Sequence, residues 1–250
     1  MLLLTRMGLF GIVVMGGVMG QSIHQDFAHR THPLFFTAPI SRAQYLVGRF
    51  LGGFLTLLVV FSSFGLGLWL ATQSPLARPE MVGPTVASHY LRPYLLTVLP
   101  NLFFTSTLFF GLAALTRHMR PVYIANVVLF VGYLLSGGFL RDLDTKWVAA
   151  LVDPFGHRVL LMVTEYWTVA EKNTHVVPVD GWFLVNRLLW AGLGAAVFGL
   201  TLARFQRTHV LSEVRKETLA EPPPFTGPLT PPAVQRDFRR STFLRLLPRL

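Results

Sequence analysis

Apolar and polar residues fall in long blocks rather than at the short periods of a soluble fold. Five apolar blocks stand out, at about 7–23, 50–72, 93–116, 121–140 and 182–203. A bilayer core of about 30 Å takes roughly 20 helical residues to cross, so each block predicts a membrane-spanning helix. The second is the most sharply marked. Between Phe50 and Ala77 there is no Asp, Glu, Lys, Arg or His. Ser41 followed by Gln44 predicts a capping box at its start, with Arg42 and Arg49 holding that end in water. The expectation is a bundle organised around 41–72. Gly16 and Gly20 in the first block, and Gly192 with Ala196 in the last, predict faces where helices approach closely. Pro100 interrupts the third block and predicts a kink, because proline removes a backbone donor and collides with the preceding turn. Asn101 and Asn126 then need partners inside the bundle. Pro121 suits the opening of the fourth helix, and Arg187 is expected to snorkel to the interface.

The polar stretches differ in kind. The loop at 24–40 mixes Asp26, His29, Arg30 and His32 with Phe27, Leu34, Phe35 and Phe36. It suits either a soluble docking partner or lipid headgroups. His24, His29 and His32 lack the carboxylate spacing of a metal site. The segment at 141–180 is amphipathic. Asp153-Pro154 predicts a helix start, with Phe155, Val159, Met162, Val163 and Tyr166 on one face, lying at or dipping into the membrane surface. Residues 206–250 are read as a Pro-rich, basic cytoplasmic tail with a stiff linker and an Arg-rich end suited to anionic lipid.

Composition agrees. Of 250 residues 52% are hydrophobic and 14% charged, against about 25% charged in soluble domains. Mean hydropathy is +0.50. Cysteine is absent, which excludes disulfides and thiolate metal sites. The net charge of +10 follows membrane topology rather than a nucleic-acid surface, since Lys and Arg gather beside the apolar blocks. With the 24–40 loop inside, inner segments hold 14 of the 22 Lys and Arg. The N-terminus is then outside and the C-terminus inside. The fold class expected is all-α: a polytopic membrane helical bundle of about five transmembrane helices plus interfacial amphipathic helices.

Several stretches resemble one family. They are Asp26-Phe-Ala-His-Arg-Thr-His-Pro-Leu-Phe-Phe-Thr-Ala-Pro-Ile-Ser-Arg, Leu99-Pro-Asn-Leu-Phe-Phe, Ala113-Ala-Leu-Thr-Arg, Asp153-Pro-Phe-Gly, Tyr166-Trp-Thr-Val-Ala-Glu-Lys-Asn and Asn186-Arg-Leu-Leu-Trp. Together they are similar to type-2 ABC transporter permeases, the membrane subunits of ATP-driven exporters, in the branch sometimes fused to a zinc aminopeptidase-like domain. The resemblance implies a permease domain over 1–205, a cytoplasmic coupling loop at 24–40 and an extracytoplasmic region at 141–180. It makes Asp26, Phe27, Arg30, Thr31, Leu34, Phe35, Phe36 and Thr37 the contact with a separate ATPase subunit. The aromatic and leucine side chains would seat in a groove, with Arg30 on an acidic rim. Pro100, Asn101 and Asn126 are the transmembrane polar and kink residues. The other implied partners are a second permease half, giving a dimer, and membrane lipid of the cell inner membrane; no nucleic acid and no cofactor is implied. The family has six spans and an elbow helix, so the first span and elbow are expected to be missing here.

No Gly-x-x-x-x-Gly-Lys-[Ser/Thr] loop is present to cradle ATP phosphates, and no His-Glu-x-x-His, so the chain itself is read as no enzyme. Two other classes remain: a non-transporting membrane scaffold or receptor subunit, and an intramembrane enzyme, for which the spans lack paired carboxylates or histidines. The near absence of fixed charge in the spans suits an amphiphilic cargo.

Overall fold

The computed structural model describes residues 6, 8–74, 87–139, 146–168, 171, 175 and 177–205, with the backbone alone for 135–139. The chain divides into one unit over Met1–Arg207 and another over Thr208–Leu250. The tail expected at 206–250, the connector at 75–86 and the start of the 141–180 region lie outside the described residues.

The described residues build an all-α bundle without strands. Its helices are α1 (Ile12–Ala28), α2 (His32–Thr37), α3 (Arg42–Gln73), α4 (Ser88–Pro93), α5 (Leu99–Thr116), α6 (Arg120–Phe139), α7 (Lys146–Val152), α8 (His157–Val163) and α9 (Gly181–Arg204). A π-helical turn, Tyr94–Val98, joins α4 to α5. Three helical runs are long and apolar enough to cross a membrane: α3, Ser88–Thr116 and α9. Over Arg120–Leu134, α6 is a shorter apolar helix. The outer face of α3 exposes Leu51, Leu55, Val59, Leu66 and Leu70, and that of α6 exposes Ile124, Val127, Val128 and Val131. Apolar faces of that extent are foreign to a water-soluble monomer. They suit lipid, and the chain is a membrane protein.

The bundle is centred on α5, not on 41–72. Helix α5 packs against α1, α3, α6 and α9. Its span is 67% buried, against 11% for α3 and 22% for α9. The residue pattern explains this. Asn101, Thr105, Ser106 and Thr107 are spread around α5 and all are buried, so no face of it suits lipid. By contrast α3 buries one narrow stripe, Leu46, Phe50, Gly53, Leu57 and Phe61, and leaves the rest to the bilayer. Its start is the expected capping box: Gln44 N–H donates to Ser41 Oγ at 3.1 Å and Ser41 N–H to Gln44 Oε1 at 2.7 Å.

In lipid, close packing rather than water exclusion holds helices together, and glycines supply it. Gly16 faces the Asn126 amide and Gly20 faces Met119 and Val122, so the first small-residue pair seats α6. The second expected pair does not: a Cβ at Gly192 would meet nothing within 4 Å, whereas Gly194 abuts Phe103 and Phe104. A ring cluster of Phe50, Phe54, Phe103, Phe110 and Phe198 ties α3, α5 and α9.

The irregularity expected at Pro100 lies one turn earlier. Its ring excludes a regular hydrogen bond to Leu96, and the π-helical turn over Tyr94–Val98 widens the backbone there. Thr97 Oγ1 donates to the Pro93 carbonyl at 2.6 Å.

Candidate functional site

The chain reverses between α1 and α3 through α2. Pro33 sits in the first turn of α2, and Ala38 is extended before Pro39, the conformation that a following proline favours. Three features fasten this short helix. Asp26, buried in the last turn of α1, accepts from Tyr45 Oη at 2.7 Å and forms an ion pair with Arg49. The Asp26 carbonyl accepts from Thr31 N–H at 2.9 Å and from His32 Nδ1–H at 3.2 Å, and the Thr31 hydroxyl lies 3.4 Å from the carboxylate. An aromatic stack then runs from Phe27 through His32 and Phe36 to Tyr45 and Phe205. Arg42 Nη1 donates to the Phe205 carbonyl at 3.1 Å, which draws in the end of α9. Arg49 lies over the Phe35 ring at 4.7 Å and Arg117 over Phe27 at 5.8 Å.

The expected coupling residues therefore separate into two sets. Asp26, Phe27, Thr31 and Phe36 converge on Tyr45 and Arg49 and hold α2 in place. Phe36, expected to fill a partner's groove, is buried against Tyr45 and Phe205 within this chain. Arg30, Leu34 and Thr37 are exposed, and Phe35 is half-buried. Leu34 is 72% exposed, so Leu34 and Phe35 present the apolar surface available to a partner. Arg30 has a left-handed backbone, φ 55, which turns the chain sharply into α2. The contribution of Phe205 was not visible from sequence, since nothing local links it to a loop so distant in the chain. Tyr45 and Arg49 did carry a signal: they lie one turn apart at the polar entry to an apolar helix.

A second polar cluster lies at the opposite end of the bundle. Between α7 and α8 the turn Asp153–Gly156 is buried. Its backbone carbonyls would be costly to leave unpaired away from water. Side chains from two long helices satisfy them. Asn101 Nδ2 donates to the Phe155 carbonyl at 3.0 Å, Asn186 Nδ2 to the Asp153 carbonyl at 2.9 Å, and Trp190 Nε1 to the Leu151 carbonyl at 2.9 Å. Arg187 Nη1 donates to Asn101 Oδ1 at 2.8 Å and Nε to Asn186 Oδ1 at 2.9 Å. Arg187 is only 5% exposed. It does not snorkel; the two asparagine oxygens and the turn hold it inside.

The helix start expected at Asp153-Pro154 lies later: α8 begins at His157 with Gly156 as its N-cap, and Asp153 instead closes the preceding turn, accepting from Phe155 N–H at 2.9 Å and Arg158 N–H at 2.6 Å. Burial pushes its carboxyl above the usual carboxylate range, against those two bonds. Burial and the nearby Arg6 lower the imidazole of His157, whose Nδ1 is buried without a partner. Val159 and Leu160 pack with Ala150, Val177 and Phe183. Tyr166, expected on the same face, is 89% exposed.

Asn126 stands apart from both clusters. Its Nδ2 donates to the Ile12 carbonyl at 3.2 Å, so it joins α6 to α1. Pro100, Asn101 and Asn126 thus do not form one polar path. Among the described residues no three His, Asp or Glu side chains converge as metal ligands. The loop site is a small helix bolted to the ends of three long ones. No protein-family model, curated protein or solved structure matches the chain.

Proposed function

We propose that the chain is a multi-pass permease subunit of an ATP-driven exporter in the cell inner membrane. It would contribute half of a translocation path and take its energy from a separate ATPase subunit. The observation that carries this reading is the mounting of α2. A short helix with Leu34 outermost is fixed by a buried ion pair to α1 and α3 and by stacked rings to the end of α9. A load applied to Leu34 and Phe35 would pass through these contacts into three long helices. The charge around α2 agrees with a cytoplasmic position. Arg30, Arg42, Arg49, Arg117, Arg120 and Arg204 lie at that end, and Asp26 is the acid facing them among the described residues. The family resemblance of the 24–40 loop and the 153–156 turn supports the same reading.

The test is ATP hydrolysis that co-purifies with the tagged chain from native membranes in mild detergent. Leu34→Asp and Arg30→Glu alter the exposed residues on and beside α2 and leave the Asp26 carboxylate in place. Each is expected to lower the co-purifying hydrolysis at least about five-fold, the effect of losing a central interface contact of roughly 1 kcal/mol or more. Hydrolysis at the wild-type level in both variants would sink the assignment.

A further inference from the structure

A trough of about 660 Å³ runs along the outer surface between α1 and α3. Its floor is glycine: a Cβ at Gly17, Gly48 or Gly52 would meet nothing within 4 Å. Its lining is graded along the helix axis. Gln21, Gln25 and Arg49 line the end beside α2, while Val14, Gly17 and Thr56 line the deep end. From Gln25 to Val14 is about 16 Å of helix, close to half of the roughly 30 Å hydrocarbon core. The trough therefore spans one leaflet, polar at the headgroup level and apolar towards the midplane.

We propose that this trough holds a single phospholipid with an anionic headgroup, drawn from the leaflet at the α2 end. Three observations single out that occupant. The gradient from amide and guanidinium groups to apolar residues matches the headgroup and acyl chain of an amphiphile. Arg49 lines the trough while paired with Asp26 through Nη2, and its side chain stays 34% exposed; a guanidinium there suits a phosphate. Finally, the arginines clustered around α2 make this end strongly positive, which raises the local concentration of anionic lipid. The Gln21 and Gln25 amides supply additional donors to phosphate and ester oxygens. The bare glycine backbone below lets one acyl chain lie close against both helices. Such a lipid would be held in a transporter or in a scaffold alike.

The test is native mass spectrometry of the detergent-purified chain, incubated with equal amounts of phosphatidylglycerol and phosphatidylcholine. The wild type is expected to retain one phosphatidylglycerol in preference to phosphatidylcholine. Gly52→Leu and Gly17→Leu fill the trough from an open position, so both should fold. They are expected to reduce that retention about ten-fold. Gly65→Leu, on α3 and likewise open but outside the trough, should leave it unchanged. Equal retention of the two lipids by wild type, or wild-type retention in both trough variants, would overturn the proposal. So would efficient disulfide dimers of Gly52→Cys, which in this cysteine-free chain would show that a second copy covers the trough.

Discussion

At Asp26 a single carboxylate joins α1 to α3, and the cost of changing it follows from what it leaves behind. Asp26→Asn keeps an oxygen for Tyr45 but removes the charge facing Arg49. Hydrogen bonds to charged groups contribute about 1.5–3 kcal/mol, and the partial exposure of Arg49 places the loss at the lower end. A lower melting temperature in detergent is expected, with α2 rather than the far end of the bundle gaining hydrogen exchange. A Tm equal to wild type would remove Asp26 from the brace. Gly156 gives a sharper case. Its φ is +74 and a Cβ there would collide with the Arg187 guanidinium. Gly156→Ala therefore combines backbone strain of about 1 kcal/mol with displacement of a buried guanidinium, and a loss above about 2 kcal/mol is expected. Gly181, at φ +48 with nothing within 4 Å, isolates the strain alone. Gly181→Ala should cost clearly less in the same melting series, and equal costs would show that Arg187 has room to move.

The helices themselves were largely legible, and the reasons are local. A capping box needs only four residues, so Ser41 and Gln44 announced the start of α3. Asp153 was less direct: it marked a turn, and the helix begins only at His157. Apolar run length marked the long helices, because lipid sets a length that a periodic soluble pattern does not. Packing was less legible. Run length made 41–72 look central, yet α5 holds that place, and its signal was a modest excess of Thr, Ser and Asn on every side. Arg187 read as a residue reaching for water. Its hydrogen-bond partners are the adjacent Asn186 and Asn101, 86 positions away in α5, and it lies against a turn about 30 positions before it, which no local rule joins. Phe36 misled for a related reason: an aromatic beside a loop looks available until the end of another helix covers it. The small-residue pairs were half informative, since Gly16 and Gly20 pack α6 while Gly192 faces open space and Gly194 takes the contact.

At the scale of the whole molecule, the long helices alternate in direction and sort polar chemistry to two ends. One end carries α2 and the arginines; the other carries the turn between α7 and α8. If the arginine end is cytoplasmic, the two ends differ in access from outside. The absence of cysteine makes the experiment clean. Leu34→Cys and Tyr166→Cys place a thiol at exposed positions on opposite ends. On intact cells, a membrane-impermeant maleimide is expected to label position 166 and to reach position 34 only after permeabilisation. The reverse result would invert the topology and with it the proposed place of the motor. Helix α5 connects the two ends. Near its start Asn101 is bonded to the Phe155 carbonyl, and just past its finish the Arg117 carbonyl accepts from His24. Pinned at both tips, its 18 residues form a strut about 27 Å long. Axial sliding would break one attachment or the other. Helix α5 therefore ties the turn between α7 and α8 to the end of the bundle that carries α2.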